Sequence, residues 1–193
     1  KYQDSFEDIL SFTKTISTLK KNAINCIIYH AENSDGLMSA FIAINYLLDH
    51  KKKDITIIPA KPSSGSGYVN NRLKVHHDQL KDKNILILDL QYNKENLDYL
   101  REQAKNVYII DDHPVANSNN KSYFIGKDHA SVAYTWKFFY PKENVPLYIQ
   151  IIDNDDNLQL GGNSLNDPEL ININLDSDVS NPDENETDNT YIN

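Results

Sequence analysis

The chain has 193 residues, 39% of them hydrophobic and 24% charged, enough to bury one core of ordinary domain size. Its formal net charge is −9, but from Ser164 onward there are eight acids and no Lys or Arg. Removing those eight leaves −1 for residues 1–163, which excludes the broad basic footprint of a nonspecific nucleic-acid binder.

No apolar run approaches the roughly 18 residues of a transmembrane helix, no secretory leader is visible, and no membrane partner is expected. The single cysteine, Cys26, excludes an internal disulfide and fits a reducing, intracellular (cytoplasmic) compartment. The chain begins at Lys1 rather than Met, which leaves a fragment or a processed form open.

In chain order, Phe6, Ile9, Leu10, Phe12 and Ile16 space as one helical face, predicting an N-terminal helix within residues 1–20. "INCIIYH" (24–30) reads as a buried strand, and "GLMSAFIAINYLLDH" (36–50) as an apolar helix. "DITIIPA" (54–60) is a second strand. After it come a Gly/Ser-rich loop and a short helical turn over "HHDQLKD". "NILILDL" (84–90) is a third strand, "NKENLDYLREQAK" a helix, and "NVYII" the fourth strand. "YFIG" follows, then a helix over "HASVAYTWKFFY" (129–140) and a final apolar element, "VPLYIQIIDNDD", read as helical. Continuous apolar strands alternating with helices predict an α/β, Rossmann-like parallel sheet with helices on both faces, spanning residues 21–163. Residues 164–193, an acidic tail, are too polar to order alone and are expected to be disordered or ordered by a protein partner.

In an open parallel sheet, ligands gather beyond the carboxyl ends of the strands. His30, followed by Asn33 and Asp35, ends the first strand, and Asp89 ends the third. Asp111, Asp112 and His113 end the fourth, and Asp153, Asp155 and Asp156 end the element near residue 150. Mixed imidazole and carboxylate ligands suit Mn²⁺ or another first-row divalent ion better than Ca²⁺. Two such ions bridged by Asp89 would clamp a phosphoryl group and activate a water.

Other polar groups carry plainer readings. His76 and His77 read as a solvated pair, His50 and His129 as helix-end residues, and Lys51, Lys52 and Lys53 as a solvated helix end. "SSGSG" lacks the Lys of a phosphate loop. Trp136, Phe138, Phe139 and Cys26 read as packing residues, and Asp155 and Asp156 as solvated acids.

The four strand-end motifs together resemble the DHH phosphoesterase superfamily, which includes RecJ-type exonucleases, oligoribonucleases, cyclic-dinucleotide phosphodiesterases and relatives of manganese pyrophosphatases. "YHAENSDGLMSA", "ILILDLQY", "YIIDDHPVA" and "YIQIIDNDD" match its motifs in order over about residues 24–157. "HASVAYTWKFFYP" resembles a helix found in a subgroup common in phages and large viruses.

The resemblance implies a DHH domain holding Mn²⁺ (or Mg²⁺), as one or two ions. His30 would bind the first metal and Asp35 the second, Asp89 would bridge them, and Asp153 would complete the second site. Asn33 stands where many members have an acid, offering an amide oxygen. In one register, Asp112 replaces the first histidine of the signature and holds the second metal. His113 then keeps the second histidine's contact with substrate phosphate. Shifted by one residue, His113 becomes the ligand and Pro114 the lost histidine; the resemblance favours the first register, because proline often follows the two histidines in the family. Asp89 and His113 are the expected catalytic pair, acting on a nucleotide or short single-stranded nucleic acid.

Catalytic members usually carry a second domain that closes over the cleft. Here the chain runs into the acidic tail instead, so that domain is expected to be absent or supplied by another chain, and without it catalysis is expected to be weak. The alternative reading is a degenerate domain retained as a structural or interaction protein. Its Asn-, Lys-, Ile- and Asp-heavy composition fits an AT-rich genome and, with the subgroup resemblance, a large virus and a virion component.

Overall fold

The computed structural model describes residues 2, 5–61, 77–113 and 120–160. The Gly/Ser-rich loop, His76, and the acidic tail after residue 163 lie outside the described residues. The chain divides into a unit of residues 1–163 and a unit of residues 164–193.

Five strands form one sheet: β1 (Cys26–His30), β2 (Thr56–Ala60), β3 (Asn84–Leu88), β4 (Asn106–Asp111) and β5 (Tyr123–Ile125). Their order is β2-β1-β3-β4-β5, and every pairing is parallel. The apolar runs make this possible, because the central strands β1, β3 and β4 are covered on both faces, whereas edge strand β2 leaves Ile57 and Pro59 exposed. Ile27, Leu86, Leu88, Tyr108, Ile110 and Phe124 face one hydrophobic cluster. Cys26, Ile28, Ile85, Ile87, Val107 and Ile109 face the other. β2 lies at an edge of the sheet, where Pro59 is tolerated because its missing N–H removes no central ladder bond.

The first cluster is closed by α1 (Glu7–Thr15), α3 (Ser34–Asp49), α6 (Ser131–Phe139) and α7 (Leu147–Leu160). The second is closed by α4 (His77–Leu80) and α5 (Lys94–Gln103) through Leu80 and Leu100. The α/β, Rossmann-like expectation therefore holds. β5, which the short "YFIG" did not declare as a strand, extends the sheet past β4.

The single N-terminal helix expected from periodicity is two, α1 and α2 (Thr18–Asn22). Ile16 adopts an extended conformation, and Ser17 starts the second helix by accepting the N–H of Lys20.

The chain leaves β1 for β2 on one side, then crosses back over β1 to β3 on the other. That reversal opens a crevice between the carboxyl ends of β1 and β3. α3 begins directly above it, so close to β1 that a β-carbon on Gly36 would overlap the carbonyl oxygen and β-carbon of His30.

Candidate metal centre

The register of β3 on β4 pairs Leu88 with Ile110, which sets Asp89 and Asp111 side by side at the carboxyl rim. Asp89 takes a φ of 55°, in the left-handed region that Asp tolerates better than most residues, and its N–H donates to the Ile110 carbonyl at 3.0 Å. Asp89 and Asp111 are buried, Asp112 is 9% exposed, and His113 is half-buried.

These four residues converge. His113 Nδ1 lies 2.8 Å from Asp111 Oδ1, 3.4 Å from Asp112 Oδ1 and 3.6 Å from Asp89 Oδ1. One ligand atom from each residue can be chosen so that all four lie within 4.8 Å of one another. Ligands at 2.0–2.6 Å from a hard divalent ion are up to about 4–5 Å apart across it, so the spread fits a shared ion. Among the described residues Asp111 Oδ2 is buried without a hydrogen-bond partner, an arrangement that costs free energy unless something else satisfies it.

The electrostatics carry the same message. Burial pushes the Asp112 carboxyl up to about 7, and the charges of Asp89 and Asp111 push the same way, against the Ser131 hydroxyl. His113 rises to about 9, first through its hydrogen bond to Asp111 and then through the charges of all three carboxylates, against its burial. A proton on His113 Nδ1 thus stands where a divalent cation would balance the carboxylates.

A pH dependence follows for metal-free protein. Both groups bind protons more tightly folded than unfolded, Asp112 between about pH 4 and 7 and His113 between about pH 6.5 and 9. Stability in EDTA therefore falls as pH rises across these windows. Melting temperatures measured from pH 5 to pH 9 check this, and a flat or rising profile contradicts it.

The first strand contributes through Asp89. His30 Nδ1 lies 3.1 Å from Asp89 Oδ2, and Asn33 Nδ2 donates to the same oxygen at 2.8 Å. Asn33 Oδ1 instead accepts the Gly36 N–H at 2.8 Å and caps α3. The amide oxygen expected to ligate is turned to the helix, and the amide N–H₂ fixes Asp89.

Asp35 and Asp153 do not join the four-residue group. Asp35 accepts the N–H groups of Ser131, at 3.0 Å, and Val132. Asp153 accepts the Ala130 N–H at 2.6 Å, His129 Nδ1 at 2.7 Å and the Tyr2 hydroxyl. Together they satisfy first-turn donors of α6, whose own N-cap, Ala130, has no side-chain oxygen to offer. Asp153 is also not at a strand end, since it lies within α7. Asp155 is exposed.

Three residues beyond the expected set shape the site. Asp111 supplies a buried carboxylate to the group. Ser131 Oγ donates to Asp112 Oδ1 at 2.7 Å and lies 3.4 Å from Asp89 Oδ1. His129, expected at a helix end as a capping or solvent-exposed residue, stands just before α6 but is buried, stacked on Phe6 at 4.1 Å and held between Ser5 Oγ and Asp153. The sequence does carry a signal for Asp111, as the final residue of an apolar strand whose pleat keeps it inside. Ser131 and His129 carry none, because their partners are about 20 to 120 residues away.

No family model matches the chain. An uncharacterized protein of Acanthamoeba polyphaga mimivirus, R106, is 23% identical over 146 residues, covering 72% of this chain and 35% of that protein. The crystal structure of an uncharacterized protein from Helicobacter pylori G27 aligns with a TM-score of 0.52 at 12% identity, over 69% of this chain and 43% of that one. The chain therefore spans about a third of the viral relative and less than half of the bacterial structure. These likenesses show a relative of viral origin and a shared α/β fold; the buried Asp/His group able to hold a metal ion is seen in this chain.

Proposed function

We propose that this chain is a DHH-like, metal-dependent phosphoesterase domain that hydrolyses a phosphodiester or phosphoanhydride in a nucleotide or short oligonucleotide. One observation carries the reading: three carboxylates from the adjacent ends of β3 and β4 meet beside the switch point of a parallel sheet, and a buried oxygen of Asp111 lacks a partner among the described residues.

Asp89, Asp111, Asp112 and neutral His113 would hold one Mn²⁺ or Mg²⁺. Such an ion supplies Lewis acidity toward a phosphoryl oxygen and makes a water more acidic. The protein's own part is positional. Asn33 and His30 fix Asp89, Ser131 fixes Asp112, and Asp35 and Asp153 hold α6 so that Ser131 stays in place. His30 sits at the crevice mouth on the Asp89 oxygen directed away from His113, where it can meet a substrate phosphate or a second ion. A near-neutral domain surface suits a short substrate better than a duplex.

A second reading has its own support. The carboxylates that the resemblance assigns to the second metal, Asp35 and Asp153, are engaged with backbone N–H groups of α6. A centre with one ion would then serve as a structural element of an interaction protein. The viral relative fits an intracellular or virion role for either reading. Among the described residues no helix is long and apolar enough to cross a membrane.

The test is hydrolysis of a dinucleotide, a short single-stranded oligonucleotide and pyrophosphate with Mn²⁺, with EDTA as control. The enzyme reading predicts EDTA-sensitive turnover of at least one of the three. Mn²⁺ binding with no turnover of any supports the structural reading.

A further inference from the structure

Leu37, Phe41 and Leu48 on α3 are 49%, 56% and 53% exposed, although α3 is otherwise a core helix. With half-buried Ile44 they follow the alternating four- and three-residue spacing of a coiled-coil seam, and they lie within about 60° of one another around the helix axis. α7 packs against α3 and adds Leu147, Tyr148 and Ile151. Six of the eight large exposed hydrophobic side chains among the described residues therefore belong to these two helices. Scattered apolar groups need no explanation, but a concentration of this kind marks an interaction face.

We infer that this face is a self-association surface, on which α3 of a second copy of the chain packs antiparallel about a twofold axis. The seam is palindromic in spacing: reversing α3 sets Leu37 against Leu48 of the second copy, and Phe41 against Ile44. An isologous contact needs this self-complementarity, because each copy must present the same patch.

Charge selects the direction. Lys51, Lys52 and Lys53 follow the carboxyl end of α3, and a parallel pairing would place two such triplets side by side. The antiparallel pairing sets each triplet near the amino end of the other helix, preceded by Glu32, and aligns the helix dipoles favourably. If α7 enters the contact beside α3, the six exposed side chains offer roughly 600 Å² per chain, so pairing two copies would bury about 1,200 Å², the lower end of a standard specific interface. The inference does not depend on the catalytic reading.

The test uses the 193-residue chain in sedimentation equilibrium at micromolar concentrations. The expected particle has twice the 22.1 kDa chain mass. Phe41→Glu, at an exposed position, should keep the melting temperature within a few degrees and raise the dimer dissociation constant at least ~100-fold. Chains carrying Leu37→Cys mixed with chains carrying Leu48→Cys should form a disulfide-linked pair, whereas Leu37→Cys alone should not. Cys26 is buried and does not compete. A wild-type chain that stays monomeric at 100-micromolar order overturns the inference. So does a dimer in which Leu37→Cys crosslinks to itself, or one that Phe41→Glu leaves intact.

Discussion

Asp89→Asn is expected to lower Mn²⁺ affinity at least ~100-fold, abolish any metal-dependent hydrolysis, and raise the stability of the metal-free protein by about 1 kcal/mol. The opposing signs follow from one geometry. Asn, like Asp, tolerates the φ of 55° at this position, so the backbone is undisturbed. Its amide oxygen can keep accepting from Asn33 and His30, while its N–H₂ turns toward the side where Asp112 and His113 lie. One charge leaves a buried group of three carboxylates, which relieves the repulsion that helps push Asp112 up to about 7. Asp89→Ala would also lose the metal, but it places a residue disfavoured in the left-handed region there and loses the bonds to His30 and Asn33. Titration calorimetry with Mn²⁺ and urea denaturation in EDTA measure the two effects. A variant that loses stability with its metal affinity unchanged would make Asp89 a structural residue only.

Gly36→Ala should cost about 3 kcal/mol or more of folding stability, although Ala replacing Gly in a helix normally gains about 1 kcal/mol. The added β-carbon meets the backbone carbonyl oxygen and β-carbon of His30, neither of which can rotate away. Relief requires α3 to lift from β1. That movement would strain the Asn33 cap on Gly36 and pull Asp35 from the N–H groups of Ser131 and Val132. Ser131 would then no longer be held against Asp112, so metal affinity should fall together with stability. Equilibrium urea unfolding measures the loss. A neutral or stabilised variant would show that α3 does not sit on β1 this closely.

The sheet was legible because each strand is a short, continuous apolar run, and such runs have few homes other than the middle of a parallel layer. Asp89 was legible for the same reason, as an acid at the carboxyl end of a central strand. Three features were harder to read. β5 is three residues long and pairs only with β4, so periodicity had almost nothing to register. The break between α1 and α2 lies inside an apolar pattern that continues through Ile16, and only the Ser17 cap marks it.

The acids were the subtlest case. A buried carboxylate that binds a cation and one that caps a helix look alike in sequence, since both need a partner with positive character. Asp35 and Asp153 proved to face the amino end of α6, while Asp111, half hidden in its own triplet, faces the cluster. Asp111, Asp112 and His113 all reach one point, so that placement sets no member of the triplet aside.

The Asp89, Asp111, Asp112 and His113 group is expected to hold a divalent cation. Isothermal titration of chelator-treated protein with Mn²⁺ near pH 8 tests it most directly. Saturable binding of one ion per chain, weakened at least ~100-fold in Asp89→Asn, is the expected result. Absence of binding at millimolar Mn²⁺, or binding that Asp89→Asn leaves unchanged, would contradict it.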